Sequence, residues 1–501
     1  MEEEWWQTNL RELNAKGKRM ETLTSMFTKI NKQSALPRHI IESLLRAPAL
    51  YECAIVEDAD KEPLVNMSTD FIRSCLDQLQ LDMSDANLPQ LLNPALHHSN
   101  PALRALVLNN LLKELRRQTN DSAIQTLPSN ELLVYVLDEL QQPETQCSAA
   151  AIQILTIVLS QWLNDAGVQS KLVQLLQQNE VVRCRAYELG VMLAKRSADS
   201  LSSVEFILDA ALGELDNDDV LLQASVLEIL VPLAEQNHGL SYMERRRVFD
   251  IISSRVQRIE EHPLDTLLIP SIMKFFGKVA AVQPQKIIAG YPHMLACLFE
   301  LLQSSDEAVL PTAMDTLANL ASSVQGKKLM HAQFQPAMQQ TLRKYADYTR
   351  NLSPPLKIRL LNSLDIIFTQ ETPASSELSS ILKNWYECFA SGQQLSHIME
   401  LLHTPFPDLQ LAALGLLKTL CQYQWGIKAV QGTAGAIEFL LSRQPDLHKD
   451  VKYLKWQIME QLSVSSEFTA TETVRFTAYV NEGPYHVQSN VNIATEPQGN
   501  Q

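Results

Sequence analysis

Apolar residues recur along this chain at intervals of three and four, the spacing that places side chains on one face of an α-helix. One such stripe consists of Val309, Ala313, Leu317 and Leu320. Prolines and short polar stretches separate one stripe from the next. The pattern therefore predicts a chain of short amphipathic helices that are joined by turns.

This stripe is part of an internal repeat. Val309, Ala313, Leu317, Leu320, Gly326 and Lys328 recur at a constant offset as Leu409, Ala413, Leu417, Leu420, Gly426 and Lys428. A third copy contains Asp219, Leu222, Val226, Leu230, Leu233 and Gly239. The copies imply a period of about 43 to 50 residues, which is typical of HEAT or armadillo repeats. Such units pack only on their neighbours, so a long chain can form one array.

The glycine that ends each copy follows the last apolar residue of a predicted helix. Glycine is common just after a helix C-terminus, where the backbone adopts positive φ. We therefore predict that Gly239, Gly326 and Gly426 stop their helices. Each copy becomes a helix, a polar turn, a second helix and a glycine stop.

The predicted fold is an all-α, HEAT/armadillo-like helical-repeat solenoid with a short extended C-terminal tail. Residues 1–68 are interpreted as N-terminal capping helices, 69–463 as the repeats and 464–501 as the tail. Trp5 and Trp6 either cover the open end of the array or anchor a partner, and capping is favoured because terminal repeats must seal their outer face.

The C-terminal stretch changes pattern. From Thr473 to Val480, apolar and polar residues alternate, which predicts an extended, strand-like conformation. Gly483-Pro484 interrupts the alternation. Residues 489–501 have no periodicity and are predicted to be disordered.

Composition restricts the class of partner. The formal net charge of −15 argues against nucleic acid, because binding phosphates requires a dense basic face. The seven cysteines are scattered through apolar stretches, as expected of reduced thiols in a cytosolic or nuclear protein. The acidic start lacks the order of a signal peptide, and the longest apolar run is too short for a membrane helix. We expect a chain without a membrane segment.

The sequence contains no recognisable catalytic, nucleotide-binding or metal-binding motif. None of the common nucleotide-binding, zinc-protease or serine-hydrolase motifs occurs, and cysteine and histidine are not at metal-ligand spacing. His97-His98 is interpreted as an exposed turn, and Gly432 to Gly435 as a turn before a helix. We therefore expect no cofactor, no metal and no enzymatic activity.

Polar residues on the second helices of the repeats are the candidates for binding a partner. On the stretch 309–320, Thr312, Asp315 and Asn319 lie off the apolar stripe. Asn319 occupies the position at which armadillo repeats carry an asparagine that can bind an extended backbone, although it could equally cap a neighbouring carbonyl. Arg183 and Lys418, on other second helices, complete the candidate set.

Three stretches carry a resemblance to a known family. They are Met399-Glu400-Leu401-Leu402 with Asp408 to Ala413, Arg475 to Tyr479, and Glu482-Gly483-Pro484-Tyr485. On these residues the chain resembles the 26S proteasome non-ATPase regulatory subunit 5 family over nearly its full length. Members of that family are HEAT/armadillo-like assembly chaperones.

The resemblance implies a scaffold that binds the C-terminal domain of one proteasomal ATPase, regulatory subunit 7. It implies a precursor that also contains regulatory subunit 4 and non-ATPase regulatory subunit 2, and release before the mature particle forms. A monomeric, cytoplasmic protein without a cofactor is expected. The alternative is an armadillo-type adaptor that binds extended peptides, which is disfavoured because Thr419 and Pro232 occupy the positions that match Asn319.

Overall fold

The computed structural model is helical in every regular element of the residues that it describes, without a β-strand among them. It describes residues 2–32, 35–56, 62–79, 81–83, 85, 87–118, 127, 129–217, 219–257, 263–304, 306–370 and 375–486. The chain divides into two compact units, Met1–Arg246 and Arg247–Gln501. The sequence pattern did not indicate this division, and the three-part organisation proposed from it stays a prediction.

Helices of the first unit stack in two layers. They are α1 (Glu2–Glu12), α2 (Arg19–Lys32), α3 (Arg38–Leu45), α4 (Pro48–Glu52), α5 (Glu62–Leu79), α6 (Leu88–Leu96), α7 (Pro101–Gln118), α8 (Asn130–Asp138), α9 (Thr145–Val158), α10 (Ala166–Leu176), α11 (Glu180–Ala194), α12 (Ala198–Gly213), α13 (Val220–Leu230) and α14 (Asn237–Arg245). Short 3-10 helices lie at Lys16–Lys18, Glu139–Gln141, Leu159–Gln161, Glu214–Asp216 and Val231–Glu235. One layer runs through α5, α7, α9, α11 and α13, and the other through α10, α12 and α14.

The second unit repeats this arrangement. It contains α15 (Val248–Gln257), α16 (Ile269–Val282), α17 (Pro284–Gly290), α18 (Pro292–Gln303), α19 (Leu310–Leu320), α20 (Val324–Asn351), α21 (Pro354–Phe368), α22 (Ser376–Ala390), α23 (Ser396–Leu402), α24 (Pro407–Leu420), α25 (Gln424–Gly432), α26 (Ala436–Leu441), α27 (Lys449–Ser463) and α28 (Ala470–Glu482), with a 3-10 helix at Pro263–Leu268. One layer runs through α16, α19, α21, α24 and α27, and the other through α17, α20 and α22. The predicted all-α, HEAT/armadillo-like fold is confirmed.

Helix starts in both units follow from local side-chain chemistry. Asn179 and Asp219 accept hydrogen bonds from backbone N–H groups in the first turns of α11 and α13. Those N–H groups have no partner within the helix, so such caps stabilise helices by about 1 kcal/mol each. Pro101, Pro354 and Pro407 begin other helices, where the N–H that proline lacks is not needed.

The repeat glycines do not have the conformation predicted for them. Gly239, Gly326 and Gly426 lie inside the first turns of α14, α20 and α25, and positive φ occurs elsewhere in the described chain. A Cβ atom on these glycines would lie 2.1, 2.1 and 1.9 Å, respectively, from the carbonyl oxygen of the last leucine of the preceding helical segment. The glycines are therefore needed for close approach of two backbones, and the prediction of helix-stopping glycines is wrong.

The extended conformation predicted for 473–480 is also wrong, because these residues lie within α28. Thr469 and Glu472 form a capping box in which each side chain bonds the backbone N–H of the other. Phe476 and Tyr479, three residues apart, are the buried side chains of this helix. The predicted disordered segment 489–501 lies outside the described residues.

At the N-terminus, Trp6 is buried and its ring centroid lies 6.3 Å from that of Phe71 on α5. Trp5 is partly exposed, and Lys29 Nζ lies 3.8 Å from the centroid of its ring. The two tryptophans thus pack against helices of their own unit, as an end cap requires. Their capping role stays a prediction.

Candidate functional site

Three of the five predicted partner-binding residues lie together on α19. Thr312, Asp315 and Asn319 are each partly exposed, whereas Ala313 and Leu317 of the same helix are buried. Their spacing of three and four residues places them on one side of the helix. The Asn319 side chain makes no hydrogen bond with any residue that the structure describes, so its amide is available to a partner.

Asp315 connects α19 to the next helix of the same layer. Arg359 of α21 donates from Nε to Asp315 Oδ1 over 3.1 Å, and a second contact joins Nη2 to Oδ2. The hydrogen bond to Asp315 raises the pKa of the Arg359 guanidinium. Both side chains are about half exposed, at 50% and 40%, so solvent screens the pair and its net stabilisation is about 0–1 kcal/mol.

Lys418 lies on α24, two helices further along this layer. Its Nζ donates to Gln457 Oε1 of α27 over 3.0 Å. The adjacent residue, Thr419, is buried and donates to the Asp365 carboxylate of α21. Side-chain contacts therefore link α19, α21, α24 and α27 in order.

We call this surface the α19–α27 face and define it by Thr312, Asp315, Asn319, Arg359, Asn362, Ile366, Lys418 and Gln457. Asn362 and Ile366 are exposed on α21, on the same side as Arg359. Ile366 is 42% exposed, which gives the face an apolar contact point among its polar groups. Four of the five predicted site residues belong to this face.

The fifth predicted residue, Arg183, lies in the other unit, on α11. It donates from Nε to Glu214 Oε1 over 2.8 Å and from Nη1 to the Gln178 carbonyl oxygen over 3.2 Å. Burial would raise the pKa of the Glu214 carboxyl, but hydrogen bonds from Tyr187 and Asn217 and the charge of Arg183 hold that pKa below its usual value. Arg183 thus joins two neighbouring helical segments of the first unit.

Arg359, Asn362 and Ile366 are not among the residues predicted from the sequence. The signal that could have found them is their spacing of three and four residues on the side opposite the buried Leu360, Leu361 and Leu364.

A pocket in the second unit was also missed. It measures about 380 Å³ and lies between α22 and α25. Tyr386 and Trp425, whose ring centroids are 5.0 Å apart, form its aromatic part, and Lys383 and Lys428 lie among the surrounding residues. Trp425 also stacks on Tyr423 with a centroid distance of 4.6 Å.

Burial makes two cysteine thiols of the second unit less reactive. Burial raises the pKa of Cys421 to about 12 and that of Cys297 to about 11, so these thiols are protonated at neutral pH. Within the described residues, no three or more histidine, cysteine or acidic side chains are placed to hold a metal ion. In the same part of the chain, none of the helices has both the length and the apolar character to span a lipid bilayer.

His97 and His98 have packing roles. His98 Nε2 lies 3.1 Å from the Tyr51 carbonyl oxygen, and its Nδ1 accepts a hydrogen bond from the Asn100 backbone. Burial lowers the pKa of His98; the hydrogen bond to the Tyr51 carbonyl oxygen opposes this shift, and the charge of Arg104 adds to it. The His97 ring lies against Tyr135, with 4.9 Å between centroids.

Stacked pairs of helices, with polar side chains exposed along each layer, define this protein as a helical-repeat protein. The chain belongs to the proteasome non-ATPase 26S subunit family, whose model matches residues 2–501. It is 62% identical over 503 residues to the 26S proteasome non-ATPase regulatory subunit 5 of Drosophila melanogaster, covering 100% of this chain and 99% of that protein. The proteins of the same name from Bos taurus and Homo sapiens are 27% and 26% identical, each covering 82% of this chain and 83% of their own.

The resemblance inferred from the sequence is therefore confirmed, and the names of these relatives support a proteasome-related role. Among solved structures, Kap95p with RanGDP aligns with a TM-score of 0.48 at 12% identity, covering 96% of this chain and 57% of that one. An engineered protein aligns with a TM-score of 0.41 at 14% identity, covering 79% of this chain and 98% of that one.

Proposed function

We propose that this chain is a non-enzymatic chaperone in assembly of the base of the 26S proteasome regulatory particle. It binds the C-terminal domain of the proteasomal ATPase regulatory subunit 7, in a precursor with regulatory subunit 4 and non-ATPase regulatory subunit 2. It leaves before the mature particle forms. The free chain is a monomer that acts in the cytoplasm, and the proposal extends to the nucleus.

The observation that carries this proposal is the full-length relationship to proteins named as a proteasome regulatory subunit, 62% identical in one case. The α19–α27 face supplies a surface suited to the task. Its groups come from four consecutive helices of one layer, so a folded domain could contact several of them at once. Many modest contacts over such a surface can give a stable complex without a deep pocket.

Charge supports the same partner type. The chain has a formal net charge of −15, which would attract a domain with basic patches and accelerate the encounter. Individual pairs on the face, such as Asp315 with Arg359, are exposed and weak, so they can exchange with groups of a partner. Weak, exchangeable pairs suit a complex that must later dissociate.

Recovery from cells tests the assembly role. A tagged chain should co-purify with the ATPase subunits and without the mature core particle. Recovery of neither would reject the proposal, and recovery with intact 26S particles would reject release before maturation.

Charge reversal tests the surface. Asp315→Lys should weaken binding of the isolated ATPase C-terminal domain, measured by calorimetry, because it removes a carboxylate that would face a basic patch. A loss of about 1.4 kcal/mol, which is a tenfold higher Kd, is the expected order for groups that contribute to an interface. Glu387→Lys is the matched control, because Glu387 is also exposed and only weakly paired but lies on α22, outside the face. Equal effects of the two variants would reject the α19–α27 face.

An armadillo-type peptide adaptor is the second candidate, favoured by the free amide of Asn319. The equivalent positions in the other repeats do not carry a free asparagine. Thr419 donates a hydrogen bond to Asp365, and Pro232 lies in a 3-10 helix. Measuring binding to two ligands distinguishes the two functions. A chaperone binds the ATPase C-terminal domain and does not bind a basic localisation peptide, whereas an adaptor binds the peptide and not the domain.

A further inference from the structure

Lys455 of α27 is a charged side chain almost completely removed from solvent, with 1% of the residue exposed. Its Nζ donates to the carbonyl oxygen of Ser442 over 2.9 Å and to the Ser442 hydroxyl over 3.1 Å. The ammonium also lies 4.6 Å from the centroid of the Phe439 ring. An ammonium group has three N–H donors, so these hydrogen bonds leave one N–H for another acceptor.

Arg443 is a second cation, with 9% of its side chain exposed, and it binds the C-terminal end of α28. Its Nη1 donates to the Gly483 carbonyl oxygen and its Nη2 to that of Tyr479, both over 2.7 Å. The guanidinium lies 3.5 Å from the centroid of the Tyr479 ring. Its Nε is buried and has no hydrogen-bond partner within the described chain.

Both cations line one small cavity of about 20 Å³, together with Lys452 and His486. A cavity of about 10–15 Å³ on this measure already holds a water molecule, so this one accommodates a water or an ion of similar size. Its other lining residues include Pro445, Leu447 and Pro484.

The charges around the cavity do not balance. Arg443, Lys452 and Lys455 carry three positive charges, whereas Glu482, 3.2 Å from Arg443 Nη2, supplies a negative one. Burial, and then the repulsion of Arg443 and Lys452, lowers the pKa of Lys455 to about 8. Buried charges of one sign are costly unless an opposite charge compensates them.

We propose that this cavity binds one small inorganic anion of about chloride size, between Arg443, Lys452 and Lys455. The anion accepts hydrogen bonds from the free N–H of Lys455 and from Arg443 Nε. Because Lys455 belongs to α27 and Arg443 holds the last turn of α28, the bound anion ties these two helices together.

Thermal unfolding of the full chain tests this site. At equal ionic strength, chloride should raise the midpoint of unfolding relative to gluconate, which does not fit. Chloride at ten times its Kd should raise the ratio of folded to unfolded protein about elevenfold. Unfolding is also measured in phosphate. Phosphate stabilises proteins generally by exclusion from their surface, so it should raise the unfolding midpoint of the variants and of wild type alike.

Lys455→Met should abolish the difference between chloride and gluconate. Lys327→Met is the matched control: Lys327 of α20 is also 1% exposed and donates to a single carbonyl oxygen, that of Ser322, over 2.9 Å. This control should lose stability yet keep the chloride effect. Should Lys455→Met not fold, Lys452→Gln replaces it, because Lys452 is more exposed.

Diffraction from crystals of the unaltered chain grown in bromide locates the anion directly. An anomalous peak near Lys455 Nζ and Arg443 Nε is expected. A water molecule there without anomalous signal would overturn the proposal. An equal chloride effect in wild type and Lys455→Met would overturn it too.

Discussion

Gly426 provides the sharpest test of how the repeats pack, because alanine has no room there. A Cβ at this position would lie 1.9 Å from the Leu420 carbonyl oxygen and 2.6 Å from the carbonyl carbon. Both are backbone atoms at the end of α24, so no side-chain rotation relieves the clash. Gly426→Ala must push α25 away from α24.

The magnitude follows from two opposing terms. Overpacking a well-packed site costs about 1–3 kcal/mol, and contact with rigid backbone places this change at the upper end. Alanine gains about 1 kcal/mol over glycine within a helix. The expected net effect is a destabilisation of about 2 kcal/mol, or about 4–8 °C in Tm for a unit of this size.

Gly415→Ala is the matched control. Gly415 lies inside α24, and an added Cβ there would meet nothing within 4 Å. This change should stabilise the chain by about 0.5–1 kcal/mol. Thermal unfolding followed by circular dichroism measures both variants. If Gly426→Ala is as stable as wild type, or if both changes shift Tm in the same direction, the close-approach explanation is wrong.

Three further changes test local interactions. Burial, followed by the charge of Arg350, lowers the pKa of His397 from 6.5 to about 4. The folded chain should therefore lose stability as the pH falls from 6.5 towards 4, and His397→Leu should lose less, as measured by Tm against pH. Thr469→Ala should destabilise α28 by about 1 kcal/mol and speed hydrogen exchange in residues 470–482, whereas an unchanged exchange rate would contradict the capping box. Arg183→Met should destabilise the first unit by about 1–2 kcal/mol at neutral pH. The destabilisation should be smaller once the pH falls below the lowered pKa of Glu214. A destabilisation that does not change with pH would contradict the pairing of Arg183 with Glu214.

The repeat helices could be predicted because burial sets the spacing of apolar residues. Ala313, Leu317 and Leu320 of the predicted stripe are buried, whereas Val309, which precedes α19, is partly exposed. The glycines show where such reasoning stops. A glycine in the sequence signals that a side chain is not tolerated, but not whether φ or a neighbouring backbone forbids it.

The prediction for the C-terminal helix was wrong because its residues alternate between apolar and polar, as in a strand, although they also fit a helix with a narrow buried side. Alternation from Val474 to Val480 suggested a strand, yet a helix buries only Phe476 and Tyr479 of this stretch, leaving Val474 69% exposed. The Thr469 and Glu472 pair, a helix-start signal, was present in the sequence and should have outweighed the alternation.

The candidate surface was predictable only in part. Thr312, Asp315 and Asn319 follow from helical spacing on one element. The pairing of Asp315 with Arg359, 44 residues away, depends on how α21 packs against α19. Neither composition nor local spacing determines this pairing, although the spacing of Arg359, Asn362 and Ile366 indicates that they share one exposed side of α21.

Site-specific photo-crosslinking tests the central claim most directly. A photoreactive residue in place of Asn362, exposed on the α19–α27 face, should crosslink to the C-terminal domain of the ATPase regulatory subunit 7 in cells. The same residue in place of Lys383, exposed on α22, should not. Crosslinks from position 383 alone, or from neither position while the complex forms, would contradict binding through this face.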